Sequence, residues 1–223
     1  MKKLNRPQSK PTCLNKLHQE NKKWDLNSPN KHDRVEIWAK LEEMQGNFCC
    51  YCESALSESN RHIEHFFPKG RRDENGDRPY ENMTYEWSNL FGSCGKKSGV
   101  SCGHFKDKEG NAGPGDYNVF DLIKPDIEDP SEFLKFSQAG SIFANPNLHE
   151  DISKRAKETI RVLNLNHPAL IAARQRLIEI FRTEIDDLIE LNLPEPDFKQ
   201  AISELRHRVV RCEFSSAVIS SIF

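Results

Sequence analysis

The residues best suited to chemistry lie in one stretch of the chain, between positions 49 and 107. Cysteines stand near both ends of this stretch, and histidine, glutamate and asparagine stand between them. Four thiolates fill every position of a structural zinc site, whereas carboxylate and imidazole ligands suit a harder divalent cation beside a base. The stretch therefore predicts a second, oxygen- and nitrogen-lined site next to a structural zinc bound by Cys49, Cys52, Cys94 and Cys102.

The second set of residues has the composition that phosphodiester hydrolysis requires. That reaction needs a base to deprotonate water, a cation to neutralise the leaving oxygen, and a group that orients the base. His65 has the right pKa range for the base, and Glu64 offers a carboxylate to Mg²⁺ or Mn²⁺. We expect Asn89 to fix the imidazole tautomer and the loop that carries it. We expect His104 to complete the metal shell and Lys106 to hold a phosphate oxygen.

The elements that must position these groups are a hairpin and a helix. Alternation over residues 61–67 predicts a strand with His62 and Glu64 on one face and His65 on the other. A cysteine pair, a strand, a loop and a second cysteine pair predict a ββα-metal module in which zinc ties the hairpin to the helix. A module this small buries little apolar surface, so the metal would supply folding free energy. Lys96 and Lys97 are expected in an exposed loop that touches phosphate.

Four motifs between residues 48 and 125 also carry a resemblance to a known family. They are Cys49-x-Tyr51-Cys52-Glu53, Ile63-Glu64-His65-Phe66-x-Pro68-Lys69, Trp87-x-Asn89-Leu90-Phe91-x-x-Cys94 and Cys102-Gly103-x-x-Lys106. Together they resemble an HNH endonuclease, specifically the PtuB-type HNH proteins of Septu anti-phage systems, including those attached to retrons. The resemblance continues weakly as far as residues 159–166.

The resemblance implies roles for the residues and partners for the chain. It implies a structural tetracysteine zinc, His65 as the general base, Glu64 as a metal ligand and Asn89 as the central asparagine. It also implies a nuclease that works with an ABC-type ATPase, PtuA. In retron-linked members, a reverse transcriptase with its RNA or DNA joins the expected partners.

The sequence departs from the family pattern in two places. Seven residues separate Cys94 from Cys102, where the family usually has two, and Gly103 stands where asparagine or histidine is common. These departures leave the third ligand of the catalytic metal open among His104, Lys106 and Asp107, and we prefer His104.

Bulk composition excludes several classes of protein. The chain has 223 residues, 36% hydrophobic and 30% charged, with a mean hydropathy of −0.73 and a formal net charge of −2. The seven cysteines are an odd number, and those in metal-type spacing argue against a secreted disulfide scaffold. No apolar run is long enough for a signal peptide or a membrane span. We therefore expect a cytoplasmic protein with no membrane partner.

We predict an α+β fold in three parts. Residues 1–27 form a basic extended arm with seven Lys or Arg and one acid up to position 24, suited to phosphate contact or to solvent, and anchored by Trp24. Residues 28–125 form the HNH ββα-metal module, led by a helix that starts with Ser28 as its cap and ends at Gly46. Residues 126–223 form a β-hairpin and a helical bundle that docks a partner, with Asp197 capping the last helix.

Two functions from different classes fit these observations. The first is a metal-dependent HNH endonuclease that hydrolyses DNA, or RNA such as tRNA, in phage defence. The second is a non-catalytic zinc-ribbon module that binds nucleic acid or scaffolds a complex. The pair Glu64-His65 with Asn89 favours the nuclease, because a pure binding module has no need of them.

Overall fold

Helices and two small sheets make up the fold. The computed structural model describes residues 1–20, 22–25, 27–95, 99–108 and 110–223. In chain order the elements are α1 (Cys13–Gln19), α2 (Lys31–Gln45), β1 (Arg61–His65), β2 (Leu90–Cys94), α3 (Cys102–Lys106), α4 (Pro130–Phe133), β3 (Leu134–Phe136), β4 (Ile142–Ala144), α5 (Glu150–Val162), α6 (Pro168–Glu190), α7 (Glu195–Val210) and α8 (Ser215–Ile222).

The first sheet is the antiparallel pair of β1 and β2, which precedes α3. Its register sets Arg61 opposite Cys94 and His65 opposite Leu90. Every residue of β2 is buried, because α2 covers one face. The buried Gln45 side chain of α2 fixes this packing, since its amide donates to the Gly92 carbonyl at 2.8 Å and accepts from the Gly92 N–H at 2.8 Å. Helix α2 therefore contributes contacts to the hairpin that do not involve the thiol cluster.

Helix α2 begins two residues later than its sequence suggested. Its cap is Asn30, whose side chain accepts from the Asp33 N–H while the Asp33 carboxylate accepts from the Asn30 N–H. The prediction of Ser28 as cap was wrong, because a reciprocal capping box is available at Asn30 and satisfies two orphan donors. Gly46 ends the helix with a φ of 65°, as predicted.

The amino-terminal segment packs on the body of the protein instead of extending from it. Residues 13–19 form α1, and Met1, Leu4, Leu14 and Leu17 are buried. The Arg6 guanidinium donates to Asp126 and to the carbonyls of Trp87 and Leu90. The prediction of an extended arm was therefore wrong for this segment, because its spaced leucines bury against the module.

The second sheet and the last helices form the carboxyl-terminal part. Strands β3 and β4 pair antiparallel, which confirms the predicted hairpin. The fully buried Arg174 of α6 donates to the carbonyls of Gly140 and Leu165, and so ties the hairpin turn to the helices. Helix α7 begins at Glu195, before Asp197, so Asp197 is not its cap. A further helix, α8, was not anticipated. No helix within the described residues has both the length and the apolar character to cross a membrane.

Candidate functional site

The four predicted thiols converge on one point. Cys49 and Cys52 lie in the turn before β1, Cys94 ends β2, and Cys102 begins α3. All four are buried, and their Sγ atoms lie within 4.8 Å of one another. The Sγ atoms of Cys52 and Cys94 are 3.5 Å apart. A tetrahedral zinc with bonds of about 2.3 Å places its sulfurs roughly 3.8 Å apart, so the cluster has the dimensions of a metal site.

Backbone groups hold the thiols in place. The Cys94 N–H donates to the Cys49 Sγ at 3.4 Å, and the Ser54 N–H donates to the Cys52 Sγ at 3.5 Å. Cys102 has a φ of 58° and its N–H donates to the Leu163 carbonyl, which lets α3 start against α5 despite the longer spacing. Lys96 and Lys97, predicted to touch phosphate, lie outside the described residues.

Glu53 follows Cys52 directly and links the turn that carries Cys49 and Cys52 to helix α8. It adopts a φ of 67°, and its buried carboxylate accepts from the Ser215 hydroxyl and the Ser216 N–H, both at 3.0 Å. Helix α8 is therefore fastened to the residue that follows Cys52.

The electrostatics of the cluster favour a bound cation. Burial opposes ionisation of the Cys49 thiol, yet hydrogen bonds from Cys102 and the other neighbouring thiols hold its pKa well below the usual value. The pKa of Cys102 is raised well above normal, first by its hydrogen bond to Cys49 and also by burial. A cation bound between the sulfurs would favour their deprotonated forms, because metal binding to cysteine releases protons. Four buried sulfurs are the donor set of a closed structural zinc site.

His65 is buried at the end of β1, with 3% of its surface exposed. Its Nε2 lies 3.0 Å from the Thr84 carbonyl. The Trp24 ring meets the imidazole edge-on, with centroids 4.5 Å apart. Burial, followed by the charge of Lys69, lowers the pKa of His65 to about 3. The imidazole is therefore neutral near pH 7, which is the form that a general base needs.

Asn89 organises the loop around His65 and does not touch the ring. Its Oδ1 accepts from the Phe67 N–H at 2.7 Å, and its Nδ2 donates to the carbonyls of Phe67 and Met83 at 3.1 and 3.0 Å. The expectation that Asn89 fixes the tautomer was wrong, because Thr84 supplies the carbonyl that meets the imidazole. Asn89 is fully buried and holds Met83, the neighbour of Thr84. Its expected role in positioning the loop agrees with these contacts.

Glu64 and Lys106 form a buried ion pair. The Lys106 Nζ lies 3.1 Å from Glu64 Oε1, and the two side chains are 0% and 2% exposed. Nζ also donates to the carbonyls of His65 and Phe66. Burial opposes the charge of Glu64, but Lys106 and then His62 hold its pKa at about 2. The expectation that Lys106 holds a phosphate oxygen disagrees with this placement, because the ammonium faces inward and is enclosed.

His62 lies between Glu64 and His104 and contacts both. The His62 Nε2 lies 3.3 Å from Glu64 Oε2, and the His62 and His104 rings stack with centroids 3.9 Å apart. A Cβ at Gly103 would overlap the Glu64 carboxylate, so only glycine fits there. Within the described part of the chain, the cysteine quartet alone brings three or more metal ligands within 4.8 Å of one another. Glu64 and His104 both contact His62, but they do not belong to a group of three or more converging metal ligands.

Sequence reasoning missed three contributors to this region. Trp24 was expected only to anchor its segment, and the contacts of Gln45 and Lys69 have no signal of their own in the sequence pattern. The proline before Lys69 was the usable signal, because it predicts a turn that follows β1 and precedes Lys69. Tyr51 is fully buried and donates to Glu64 Oε1 at 3.3 Å, which explains a tyrosine between two cysteines.

Comparisons with known proteins bear on the whole of this region. No family model matches the chain. The chain is 27% identical over 191 residues to "Septu protein PtuB" of Bacillus thuringiensis, covering 84% of this chain and 64% of that protein. It is 29% identical over 144 residues to "Retron Vc95 putative HNH endonuclease" of Vibrio cholerae serotype O1 biovar El Tor, covering 63% and 62%. It is 29% identical over 168 residues to "Septu protein PtuB" of Bacillus mycoides (strain KBAB4), covering 66% and 53%.

Each of these matches covers only part of the relative's length. The aligned part of the chain spans between 53% and 64% of the length of the three relatives, so each relative contains further sequence. Two of the relatives carry the PtuB name and one carries the HNH name, which are the two descriptions that the motifs around His65 and the cysteines had suggested. The chain is a homologue of PtuB-type HNH proteins, and this confirms the resemblance predicted from its motifs.

Proposed function

We propose that the chain is a metal-dependent HNH endonuclease that hydrolyses nucleic-acid phosphodiesters in anti-phage defence. One observation carries the proposal: a buried imidazole at His65, oriented by the Thr84 carbonyl, follows Glu64 on a hairpin strand next to a thiol cluster. In this reading β1, β2 and α3 are a ββα-metal module, and zinc occupies the cluster. The substrate is DNA, or RNA such as tRNA.

His65 acts as the base that deprotonates the attacking water. A carbonyl only accepts hydrogen bonds, so the contact with Thr84 assigns the ring proton to Nε2 and leaves the lone pair on Nδ1. Asn89 keeps this carbonyl in place through Met83. The water therefore gives its proton to Nδ1, on the side of the ring away from Thr84.

Glu64 and His104 would hold the catalytic Mg²⁺ or Mn²⁺. A carboxylate with an imidazole is a donor set that a divalent cation accepts, and it suits Mn²⁺ better than the more oxygen-selective Mg²⁺. When bound, the cation supplies positive charge to the leaving oxygen. Glu64 is charged and its Oε2 faces the histidines, whereas Oε1 is engaged by Lys106.

The partner is a PtuA-like ATPase, docked on the carboxyl-terminal helices. Helices α6 and α7 expose large apolar side chains at Ile180, Ile189 and Val210, and Leu191 is exposed directly after α6. Contiguous exposed apolar patches mark protein interaction sites, and these four side chains are the candidates for such a patch. A net charge of −2 gives the chain alone little electrostatic attraction for nucleic acid, so the partner would contribute to substrate binding. In a retron setting, a reverse transcriptase with its RNA or DNA would join the complex.

A second candidate function also has an observation in its favour. Lys106 already neutralises Glu64, and Gly103 provides no ligand where the family usually has a side chain. A protein with this arrangement could serve as a non-catalytic zinc-ribbon module that binds nucleic acid or scaffolds a complex.

Cleavage by the chain co-purified with its ATPase separates the two candidates. Single- and double-stranded DNA and total RNA are incubated with Mg²⁺ or Mn²⁺, using wild type, His65→Ala and, as a matched control, His149→Ala, which changes an exposed histidine. We expect His65→Ala to lower the cleavage rate by about 100-fold or more, because general-base catalysis contributes that much. Cleavage that survives in His65→Ala contradicts the base assignment. A folded, zinc-loaded wild-type complex that cleaves nothing supports the non-catalytic module.

A further inference from the structure

A cleft lies beside His65 on the surface of the protein. It has a volume of about 870 Å³ and opens between residues 18 and 22–25 on one side and residues 69–70, 78–79, 81–82 and 84–85 on the other. Two residues that touch His65 line it: Trp24, which packs on the imidazole, and Thr84, whose carbonyl meets Nε2. His65 does not itself line the cleft, so a ligand there would be separated from the predicted base by Trp24 and Thr84.

The lining of the cleft is cationic. Lys22, Lys23, Lys69 and Arg78 face it, against the carboxylates of Asp25 and Glu81. Asp25 is occupied in a turn, where its Oδ1 accepts from the N–H groups of Asn27 and Ser28. Arg78 pairs with Glu81 and Lys22 lies 3.9 Å from Glu20, so Lys23 and Lys69 are the lining cations without an ion pair among the described residues.

Among the neighbouring charges, that of Lys69 has the largest effect on the pKa of His65. Its charge acts on the imidazole, and its own pKa is lowered by burial while Asp107 and Glu64 oppose that change. Among the described residues it takes part in none of the ion pairs, whereas the nearby Lys106 is held by Glu64 and Asp107. Lys69 therefore has its ammonium available for a ligand oxygen in the cleft, and Lys106 does not.

Trp24 adds an aromatic surface to this cationic lining. The side chain is half-buried, its edge rests on His65, and Arg34 lies 5.6 Å from the centre of its ring. Grooves that bind unpaired nucleic acid combine cations for the backbone with aromatic rings on which bases stack. A volume near 870 Å³ is that of a small-molecule pocket, which suits a few unpaired nucleotides and not the width of a duplex.

We propose that this cleft binds an unpaired nucleic-acid strand, with Lys22, Lys23, Lys69 and Arg78 on its phosphates and Trp24 stacked on a base. The proposal rests on the proposed nuclease function for its biological sense, and it names the substrate class and the side from which it approaches His65. Lys69 contacts the phosphate nearest the imidazole. The sequence had predicted this role for Lys106.

Binding of labelled oligonucleotides tests the cleft independently of cleavage. Fluorescence anisotropy is measured with fluorescein-labelled unpaired DNA and RNA 12-mers and with a hairpin duplex, in buffer without added Mg²⁺ or Mn²⁺. The full chain is compared with Lys69→Gln, Lys22→Gln/Lys23→Gln, Trp24→Ala and Trp24→Phe. The matched control is Lys154→Gln/Lys199→Gln, which removes two exposed lysines from α5 and α7.

We expect the cleft variants to lose affinity for unpaired strands while the control keeps it. Each lost lysine should weaken binding roughly tenfold or more, as charge-assisted hydrogen bonds do. The double lysine variant should lower the salt slope by about 1.4, since each single-strand phosphate contact contributes about 0.7. Trp24→Ala should weaken binding about 5- to 100-fold, and Trp24→Phe should recover part of the loss. Wild type should bind unpaired strands more tightly than the hairpin.

Several results would contradict the proposal that the cleft binds an unpaired strand. These are no binding by wild type, equal affinity in the cleft and control variants, or tighter binding of the hairpin. Thermal unfolding of each variant verifies that it is folded. If the chain binds strands through the cleft but the complex never cleaves, the nuclease proposal is wrong and the binding proposal is kept. If the complex cleaves, cleavage depends on His65 and the cleft variants bind normally, only the binding proposal is wrong.

Discussion

Replacing Lys106 with methionine should destabilise the protein far more than replacing an exposed lysine. Methionine keeps much of the length and volume of the side chain but removes the ammonium. Among the described residues, Glu64 would then keep Tyr51 and His62 as its hydrogen-bond partners, each at 3.3 Å, and the carbonyls of His65 and Phe66 would lose a donor. The variant therefore leaves a buried carboxylate without a compensating charge.

The expected magnitude follows from the geometry of the pair. At 3.1 Å and an effective dielectric constant of about 20, the Coulomb attraction is on the order of 5 kcal/mol. Removing one partner of a buried pair typically costs about 3–5 kcal/mol. For a chain of 223 residues that corresponds to a fall in Tm of roughly 6–20 °C.

The assay is thermal and urea unfolding with a matched control. Lys199→Met removes one half of an exposed ion pair with Glu195 on α7, where the two side chains are 73% and 77% exposed. That variant should change stability by about 0.5 kcal/mol or less. A double variant, Glu64→Gln/Lys106→Met, should recover part of the loss because it removes both charges.

The pH dependence gives a second signature of the same pair. In wild type the pKa of Glu64 is held near 2, below its ordinary value, so the pair stabilises the protein above about pH 4.5 and this contribution disappears as the pH falls toward 2. In Lys106→Met the pKa of Glu64 should rise, and the penalty should shrink as the pH falls. If Lys106→Met unfolds like Lys199→Met and only weakens nucleic-acid binding, Lys106 is a phosphate ligand and the reasoning is refuted.

Three further outcomes are expected. Cys94→Ser should lose most bound zinc, measured by plasma mass spectrometry, and should unfold at a lower temperature because the metal supplies folding free energy. The control Cys212→Ser should keep its zinc content and its unfolding temperature. Equal zinc in the two variants would contradict the site. Gly103→Ala should cost about 1–3 kcal/mol in urea unfolding because its Cβ meets Glu64, against little change for Gly70→Ala, which has open space; equal stability would count against the packing. In urea unfolding at pH 7, 4 and 3, Glu64→Gln should flatten the acid-side loss of stability seen in wild type, and parallel curves would assign that loss to other groups.

The metal cluster could be predicted from the sequence because its information is local. The pair Cys49 and Cys52 has the spacing of a knuckle, and residues 61–65 alternate as a strand. Cys94 was identifiable as the partner of this pair even though seven residues separate it from Cys102. Thiols that share a metal must meet in space, so chain spacing constrains them only weakly.

The roles of individual polar groups could not be read in the same way. Lys106 and Lys69 are both lysines beside family motifs, and only the packing shows that one is enclosed by Glu64 while the other lines the cleft. Asn89 was expected at the imidazole, but the carbonyl of Thr84 took that place, since backbone groups carry no signal in side-chain patterns. The contact of Trp24 with His65 spans 41 positions in the chain, and no periodicity reports such a contact.

The bond between Glu53 and α8 makes the carboxyl terminus a reporter of metal occupancy. Glu53 follows Cys52 directly, so a knuckle that relaxes without its cation releases the carboxylate that Ser215 and Ser216 hold. Chelation should therefore loosen the tail, and proteolysis or hydrogen exchange at residues 215–222 should rise together with exchange at residues 49–54. Metal supply would in this way govern whether the last helix of the chain stays folded against the rest.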